Sequence, residues 1–164
     1  MESVIGRTLP PDIFYYLLDL EVKRSRRYQN FFCLLNIKLY NISGQGNAPR
    51  LKGFYQKVSA LIAEELRESD ILCSLGDDQL VVLLPYTDSS GSGSLRSRFE
   101  ETLNNYDLKS EGFVVKIDQI SFPKDGTDTG ELTRKFIEFG EAKSKVENTS
   151  RKNSVDNGSG KYRN

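Results

Sequence analysis

The sequence predicts an α+β domain, a β-sheet with helices on one or both of its faces. Apolar residues recur at helical spacing in four segments, and four shorter runs are rich in the β-branched and aromatic residues that strands favour. The resulting order is α-β-α-β-β-α-β-α, which is typical of an α+β sheet. A length of 164 residues suits one domain, and no internal repeat is visible.

The first half of the chain contains two helices and a strand. Pro10 and Pro11 open a helix over residues 12–27, because proline suits a first helical turn. Its apolar residues share one face: Ile13, Tyr16, Leu17 and Leu20. Residues 31–39 are apolar and aromatic, which predicts a buried strand, and residues 41–49 are rich in Gly and Asn, which predicts a loop. A second helix is marked by apolar residues at helical spacing: Leu51, Phe54, Val58, Leu61, Ile62 and Leu66.

The second half contains a hairpin, a helix, a strand and a final helix. Residues 71–75 and 79–84 are strands around a Gly-Asp-Asp turn. Residues 87–94 are rich in Ser and Gly without the Gly-Lys-Ser/Thr of a phosphate-binding loop, so we expect a flexible linker there. The next helix is marked by Leu95, Phe99 and Leu103. Residues 113–122 alternate as a strand and residues 123–126 form a turn. The last helix is marked by Leu132, Phe136, Phe139 and Ala142.

Composition excludes several kinds of chemistry. Lys and Arg number 23 against 23 Asp and Glu, which argues against a nucleic-acid partner or a charge-held membrane contact. The absence of histidine excludes Ser-His-Asp and Cys-His catalysis, and two cysteines cannot fill a structural zinc site. No apolar run reaches the ~20 residues of a membrane span and no signal peptide is visible, so we expect a cytoplasmic protein. Cys33 and Cys73 lie in apolar runs, which predicts reduced core residues.

Two polar stretches have simple interpretations. Residues 23–27, Lys-Arg-Ser-Arg-Arg, are either a solvated helix end whose cations favour the negative pole of the helix dipole, or a surface for an anionic partner. Residues 148–164 contain one Val and one Tyr as their only large apolar groups, so they cannot bury enough surface to become ordered. We therefore predict a domain over residues 1–147 and a disordered polar tail over residues 148–164.

Three stretches resemble the GGDEF domains, the diguanylate cyclase family. Residues 67–85 resemble the family's signature hairpin, in which RxxD, five residues, GG(D/E)EF and an apolar strand ending in Pro follow one another. Residues 31–41 look like the family's first core strand with its Asp-x-Asp-x-Phe-Lys segment. Residues 117–132 are similar to the strand and the Phe-Pro-x-Asp-Gly turn that precede the family's last helix. Residues 142–143 match the Ala-Lys of that helix. The resemblance covers residues 10–148. It implies the nucleotidyl-cyclase fold, with a ferredoxin-like core and a central, mostly antiparallel sheet flanked by helices.

The sequence departs from the family's catalytic motif. The hairpin turn becomes a degenerate series: Gly76, Asp77, Asp78, Gln79 and Leu80. In cyclases two Mg²⁺ ions are held by the hairpin acid, which Asp78 matches, and by an Asp of the first strand, which Asn36 replaces. A neutral Asn is a poor Mg²⁺ ligand, and Lys38 replaces the next acid with a positive charge. Asp77 replaces a glycine where the backbone approaches the triphosphate. The comparison implies no catalytic residues, no metal and no cyclase activity.

The family's product-inhibition site, the I-site, is matched by three residues. Arg67 and Asp70 form its RxxD with the right gap to Gly76, and a second arginine of the family aligns with Arg98. A guanidinium matches the O6/N7 edge of guanine or a phosphate, and a carboxylate accepts the N1–H and N2–H groups of guanine. The bacterial second messenger cyclic di-GMP carries two guanines and two phosphates, so the three residues could hold it. The competing interpretation is a solvated ion pair between Arg67 and Asp70.

Three functions are compatible with the sequence. The first is a non-catalytic cyclic di-GMP receptor that signals through a protein partner or a homodimer. The second is a protein-interaction module that binds no nucleotide and uses residues 23–27, the degenerate hairpin or the tail. The third is residual GTP binding or diguanylate cyclase activity through Asp78 and Lys143.

Overall fold

A five-stranded sheet organises the chain. The computed structural model describes residues 8–42 and 48–136. The elements, in chain order, are β1 (Thr8–Leu9), α1 (Pro11–Tyr28), β2 (Phe32–Asn41), α2 (Ala48–Glu65), β3 (Ile71–Ser74), β4 (Gln79–Pro85), α3 (Ser89–Asn104), β5 (Phe113–Phe122) and a fourth helix, α4, over residues 129–136. The sheet order is β1-β3-β4-β2-β5, and only β1 and β3 are parallel.

The α+β class and the mostly antiparallel sheet are confirmed. Strand β2 is central: it pairs with β4 from Phe32 opposite Pro85 to Lys38 opposite Gln79, and with β5 along its full length. The short strand β1 was not predicted, because two residues are too few to show an alternating pattern.

Each face of the sheet carries its own apolar cluster. Because side chains alternate along a strand, Leu35 and Ile37 of β2 face the cluster under α2 and α3, while Phe32 and Leu34 face the cluster under α1 and α4. Cys33 belongs to the first cluster and Cys73 to the second. Both cysteines are buried and free, as predicted.

The apolar face of α1 was predicted wrongly. Ile13, Tyr16 and Leu20 do share a face, but their side chains are 41%, 68% and 40% exposed. The residues that enter the core are Phe14, Leu18 and Val22, which are 2% exposed or less. Both sets follow helical spacing, so periodicity alone could not show which stripe the sheet covers.

The prediction of a linker at residues 87–94 was also wrong. Helix α3 begins at Ser89, with Asp88 as its N-cap: the Asp88 carboxylate accepts a hydrogen bond from the Gly91 amide at 2.7 Å. Ser92 is fully buried, and the Ser89 hydroxyl lies 3.0 Å from that of Ser121. Small residues let the start of α3 approach β5 closely, and this packing overrides their weak helix propensity.

The basic residues 23–27 lie at the C-terminal end of α1. Lys23 pairs with Asp19 at 2.7 Å, and Arg24 lies 3.4 Å from Glu21. Arg26 donates to the carbonyl oxygen of Thr127. These contacts agree with the interpretation of a solvated helix end.

Several predicted features lie outside the described residues. They are the predicted loop between residues 43 and 47, the later part of the last helix with Phe139, Ala142 and Lys143, and the tail over residues 148–164. Among the described helices, none has the length and apolar character needed to cross a bilayer.

Candidate functional site

The RxxD segment forms a tight turn between α2 and β3. The Asp70 carboxylate accepts a hydrogen bond from the backbone amide of Arg67 at 2.8 Å, and the Asp70 amide donates to the Arg67 carbonyl oxygen at 3.1 Å. Within the described part of the chain, no ion pair joins the side chains of Arg67 and Asp70. Asp70 therefore holds the turn through the backbone, which leaves the Arg67 guanidinium to other partners.

One cavity brings the three predicted residues together. Its volume is about 200 Å³, and Arg67, Asp70 and Arg98 all line it. The turn supplies the first two and α3 the third, because α3 packs across the same face of the sheet as α2. Elements distant in sequence thus converge on one concave surface.

A carboxylate that no sequence motif marks sits in the same cavity. Glu65 lies at the end of α2, with its Oε2 atom 3.8 Å from the Arg98 guanidinium and its Oε1 atom accepting a hydrogen bond from Thr102 at 3.2 Å. The side chain of Arg98 is 59% exposed, so this contact is loose. Glu65 therefore places a negative charge beside Arg98 without a hydrogen bond to it.

Burial shifts the titration of Asp70. Desolvation raises the pKa of this carboxyl above its ordinary value, while the Arg67 amide and the Arg67 charge act in the opposite direction. The largest influence on Asp70 is thus the partial loss of water around it. A carboxylate placed in this way gains from new donors, because they replace the lost hydration.

The hairpin turn places Asp77 and Asp78 at the other end of the sheet strands. Gly76 has φ +156°, a value that L side chains rarely adopt. The Leu75 amide donates to the Gln79 carbonyl oxygen at 2.9 Å, and the Leu39 amide donates to the Asp78 carbonyl oxygen at 2.8 Å. The turn is therefore fixed both to itself and to the end of β2.

Beside this turn, two neutral amides pair. Gln79 donates from Nε2 to the Oδ1 atom of Asn36 at 2.7 Å, and Asn36 is only 1% exposed. Lys38 stands opposite Gln79 on β4 and opposite Lys116 on β5. The two ammonium groups lie 5.8 and 5.2 Å from the centre of the Tyr40 ring. Within the described residues, no group of three or more His, Cys, Asp or Glu side chains could hold a metal ion.

Comparison with known proteins gives a structural answer only. No family model and no curated protein matches the sequence. Among solved structures, a DGC protein from Thermotoga maritima matches with a TM-score of 0.70 at 14% identity, over 83% of this chain and 98% of that one. The GGDEF domain of DgcB from Caulobacter crescentus, in complex with c-di-GMP, matches with a TM-score of 0.65 at 11% identity, over 77% and 80% of the two chains. This chain has the GGDEF fold.

A third similar structure contains a protein partner. It is the diguanylate cyclase SiaD from Pseudomonas aeruginosa in complex with its activator SiaC, with a TM-score of 0.62 at 14% identity. The match covers 84% of this chain and 55% of SiaD. GGDEF folds thus occur in complexes with a nucleotide and in complexes with a protein.

Relative to the GGDEF pattern, the amide pair lies where the resemblance would put catalytic acids. The resemblance aligns Asn36 with the metal-binding Asp of the family's first strand, and Gln79 follows Asp78 in the hairpin. A hydrogen bond between neutral amides connects β2 and β4 but supplies no negative charge to a cation.

Strand register, rather than any motif, identifies two of the cavity residues that sequence reasoning missed. Because Phe32 pairs with Pro85, the residues just beyond them, Phe31 and Tyr86, must be neighbours. The missed cavity residues include Phe31, Glu65, Tyr86 and Asp88. Once the hairpin and first strand of the GGDEF fold are aligned, the Phe31–Tyr86 contact follows from pairing alone.

Proposed function

We propose that this chain is a non-catalytic GGDEF-fold domain that binds cyclic di-GMP at Arg67, Asp70 and Arg98. In this role it acts as a receptor in the cytoplasm, and the bound ligand changes its contact with a protein partner or with a second copy. The observation that carries the proposal is the convergence of these three side chains on one cavity of about 200 Å³.

The chemistry of the cavity suits a guanine dinucleotide. Guanidinium groups offer planar forks of donors, which match the O6/N7 edge of guanine or a phosphate. The partly desolvated Asp70 carboxylate suits the N1–H and N2–H donors of the base. The two arginines are the groups that can bind the phosphates of an anionic ligand, although two further acids, Glu65 and Asp88, also line the cavity.

The absence of catalysis is the second part of the proposal. The hydrogen bond between Gln79 and Asn36, with Lys38 opposite Gln79, supports it, since neutral amides and an ammonium group stand where the GGDEF resemblance would place carboxylates for Mg²⁺. The domain then needs no metal cofactor. An assay with GTP and Mg²⁺ or Mn²⁺ is expected to give no cyclic di-GMP. Product formation that disappears in Asp78→Ala would overturn this part.

Calorimetric titration with cyclic di-GMP tests the binding role. We expect heat of binding with the unaltered chain, and a weakening of about 5- to 150-fold in Arg67→Ala or Asp70→Ala, because a bidentate contact to a base contributes about 1–3 kcal/mol. Arg96→Ala is a matched control: Arg96 is on the same helix as Arg98, pairs with Glu100 and lines a different cavity. No heat at tens of micromolar ligand, or unchanged affinity in both variants, would overturn the proposal.

A module that binds only proteins is the second candidate. The exposed stripe of Ile13, Tyr16 and Leu20 on α1 favours it, because exposed apolar residues on one helix face are typical of interaction surfaces. A thermal-shift scan separates the two candidates. This second function predicts no stabilisation by cyclic di-GMP, GTP or GDP, whereas a receptor is stabilised by its ligand.

A further inference from the structure

Two exposed aromatic side chains line the cavity that holds Arg67, Asp70 and Arg98. They are Phe31, 43% exposed, and Tyr86, 65% exposed. The Tyr86 amide donates to the Phe31 carbonyl oxygen at 3.0 Å, which keeps the two residues side by side at the ends of β2 and β4. Large apolar rings left open to water beside charged groups do not contribute to the core.

Tyr86 is held in an unusual conformation. Its φ is +53°, in the left-handed region that Gly and Asn adopt readily and that is strained for most other residues. The Asn30 side-chain amide donates to the Tyr86 hydroxyl at 3.1 Å and so restricts the ring. Strained backbone is concentrated at functional sites, so an exposed ring held in place on such a backbone indicates a functional role for the ring.

We propose that Tyr86, together with Phe31, forms an aromatic wall against which a purine base of the ligand stacks. This inference rests on the proposed function, since Arg67, Asp70 and Arg98 then contact the edge of the base and the phosphates. A purine presents hydrogen-bonding groups on its edge and an aromatic face perpendicular to them. A cavity lined by both guanidinium groups and exposed aromatic rings is complementary to both.

The aromatic wall gives the site a preference for ligands with an aromatic base, which charged groups alone cannot give. Arginines bind any phosphate, whereas stacking rewards a large aromatic base and contributes about 1–3 kcal/mol per base. The ligand class is therefore a purine nucleotide, and affinity should depend on the base as well as on the phosphates.

The test compares three variants by calorimetric titration with cyclic di-GMP. Tyr86→Asn removes the ring and suits the left-handed backbone, so it should fold; we expect it to lower affinity about 5-fold or more. Tyr86→Phe keeps the ring and loses only the hydrogen bond from Asn30, so its affinity should stay close to that of the unaltered chain. Tyr16→Asn removes an equally exposed ring on α1, outside the cavity, and should bind as the unaltered chain does.

A second measurement reports stacking directly. In the nuclear magnetic resonance spectrum, the ring protons of Tyr86 should move upfield when cyclic di-GMP binds, because a stacked base places them in its ring current. Tyr86→Asn with unchanged affinity, alongside loss of binding in Arg67→Ala, would overturn the aromatic wall and leave the receptor role standing. If the unaltered chain does not bind cyclic di-GMP, the receptor role fails and the wall fails with it.

Discussion

At the scale of single residues, Glu65 is the side chain that competes with an anionic ligand. It contacts the Arg98 guanidinium at 3.8 Å inside the cavity. A ligand phosphate at Arg98 has to displace this carboxylate or accept its repulsion, so the site as it stands is weaker than its arginines suggest.

Replacing Glu65 by Gln should therefore strengthen binding. We expect Glu65→Gln to raise the affinity for cyclic di-GMP by about 1.4- to 5-fold, because an exposed ion pair contributes about 0.2–1 kcal/mol. Glu100→Gln is the control, since Glu100 pairs with Arg96 at 3.0 Å on the same helix but outside this cavity. Equal affinity in Glu65→Gln and the unaltered chain, measured by calorimetry at low salt, would argue against the competition.

Asp70 should lower stability as it ionises. Burial raises its pKa in the folded state, so the folded chain holds this proton more tightly than the unfolded chain does. Its contribution to stability is then present below the unfolded pKa of about 3.8 and is lost as pH rises through the raised folded value.

Asp70→Asn keeps an oxygen that can accept from the Arg67 amide but does not ionise. Urea unfolding from pH 3 to 7 should show this variant gaining stability relative to the unaltered chain as pH rises, while its affinity for cyclic di-GMP falls. A stability difference that is constant across this range would show that Asp70 is not desolvated as the fold indicates.

At the scale of elements, the alternating strands and the apolar faces of α2, α3 and α4 were predictable, whereas the buried face of α1 was not. Strand β5 was predicted over residues 113–122, its observed bounds, because alternation and the Pro-Lys-Asp-Gly turn mark both ends. On α1 two apolar stripes lie side by side, and only the sheet decides that Phe14 is buried and Tyr16 exposed. At α3 the composition of residues 87–94 concealed a helix start that depends on Asp88 and on contact with β5.

The buried and the exposed apolar stripes of α1 should differ strongly in their contribution to stability. Phe14→Ala should lower the free energy of unfolding by about 3–5 kcal/mol, because it opens a cavity between α1 and α4. Tyr16→Ala should change it by less than about 0.5 kcal/mol, because the ring is mostly in water. Urea unfolding measures both, and a large loss in Tyr16→Ala would mean that the stripe is covered in solution.

At the scale of the whole molecule, the candidate ligand cavity and the hairpin turn at residues 76–79 are separate regions. The RxxD motif and Arg98 could be predicted because their spacing to Gly76 follows the GGDEF pattern. Their neighbours were missed for two reasons: Glu65 belongs to no motif although it precedes Arg67 by two residues, and the position of Phe31 and Tyr86 beside Arg98 depends on how the sheet packs against α3. The Asn36–Gln79 hydrogen bond could not be predicted either, because only the pairing of β2 with β4 brings the two residues together.

This separation predicts a response to metal removal. Binding of cyclic di-GMP should be unchanged within about twofold when Mg²⁺ is replaced by excess chelator, because the three proposed ligand residues are two arginines and one carboxylate. The folding midpoint should also be unchanged. Calorimetry and thermal unfolding in both buffers measure this, and a metal-dependent affinity would mean that an ion takes part in the site.

The placement of the two cysteines has a practical consequence. The sheet separates their thiols, since Cys33 faces one apolar cluster and Cys73 the other, and strand β4 lies between their strands. Two strand spacings amount to about 9–10 Å, beyond the ~7 Å that a disulfide can bridge between Cα atoms. Burial also raises the pKa of Cys33 and brings the pKa of Cys73 to about 11, so neither is a ready thiolate. The rate at which a maleimide labels these thiols should therefore measure the rate at which the sheet opens, so unfolding can be followed without an added probe.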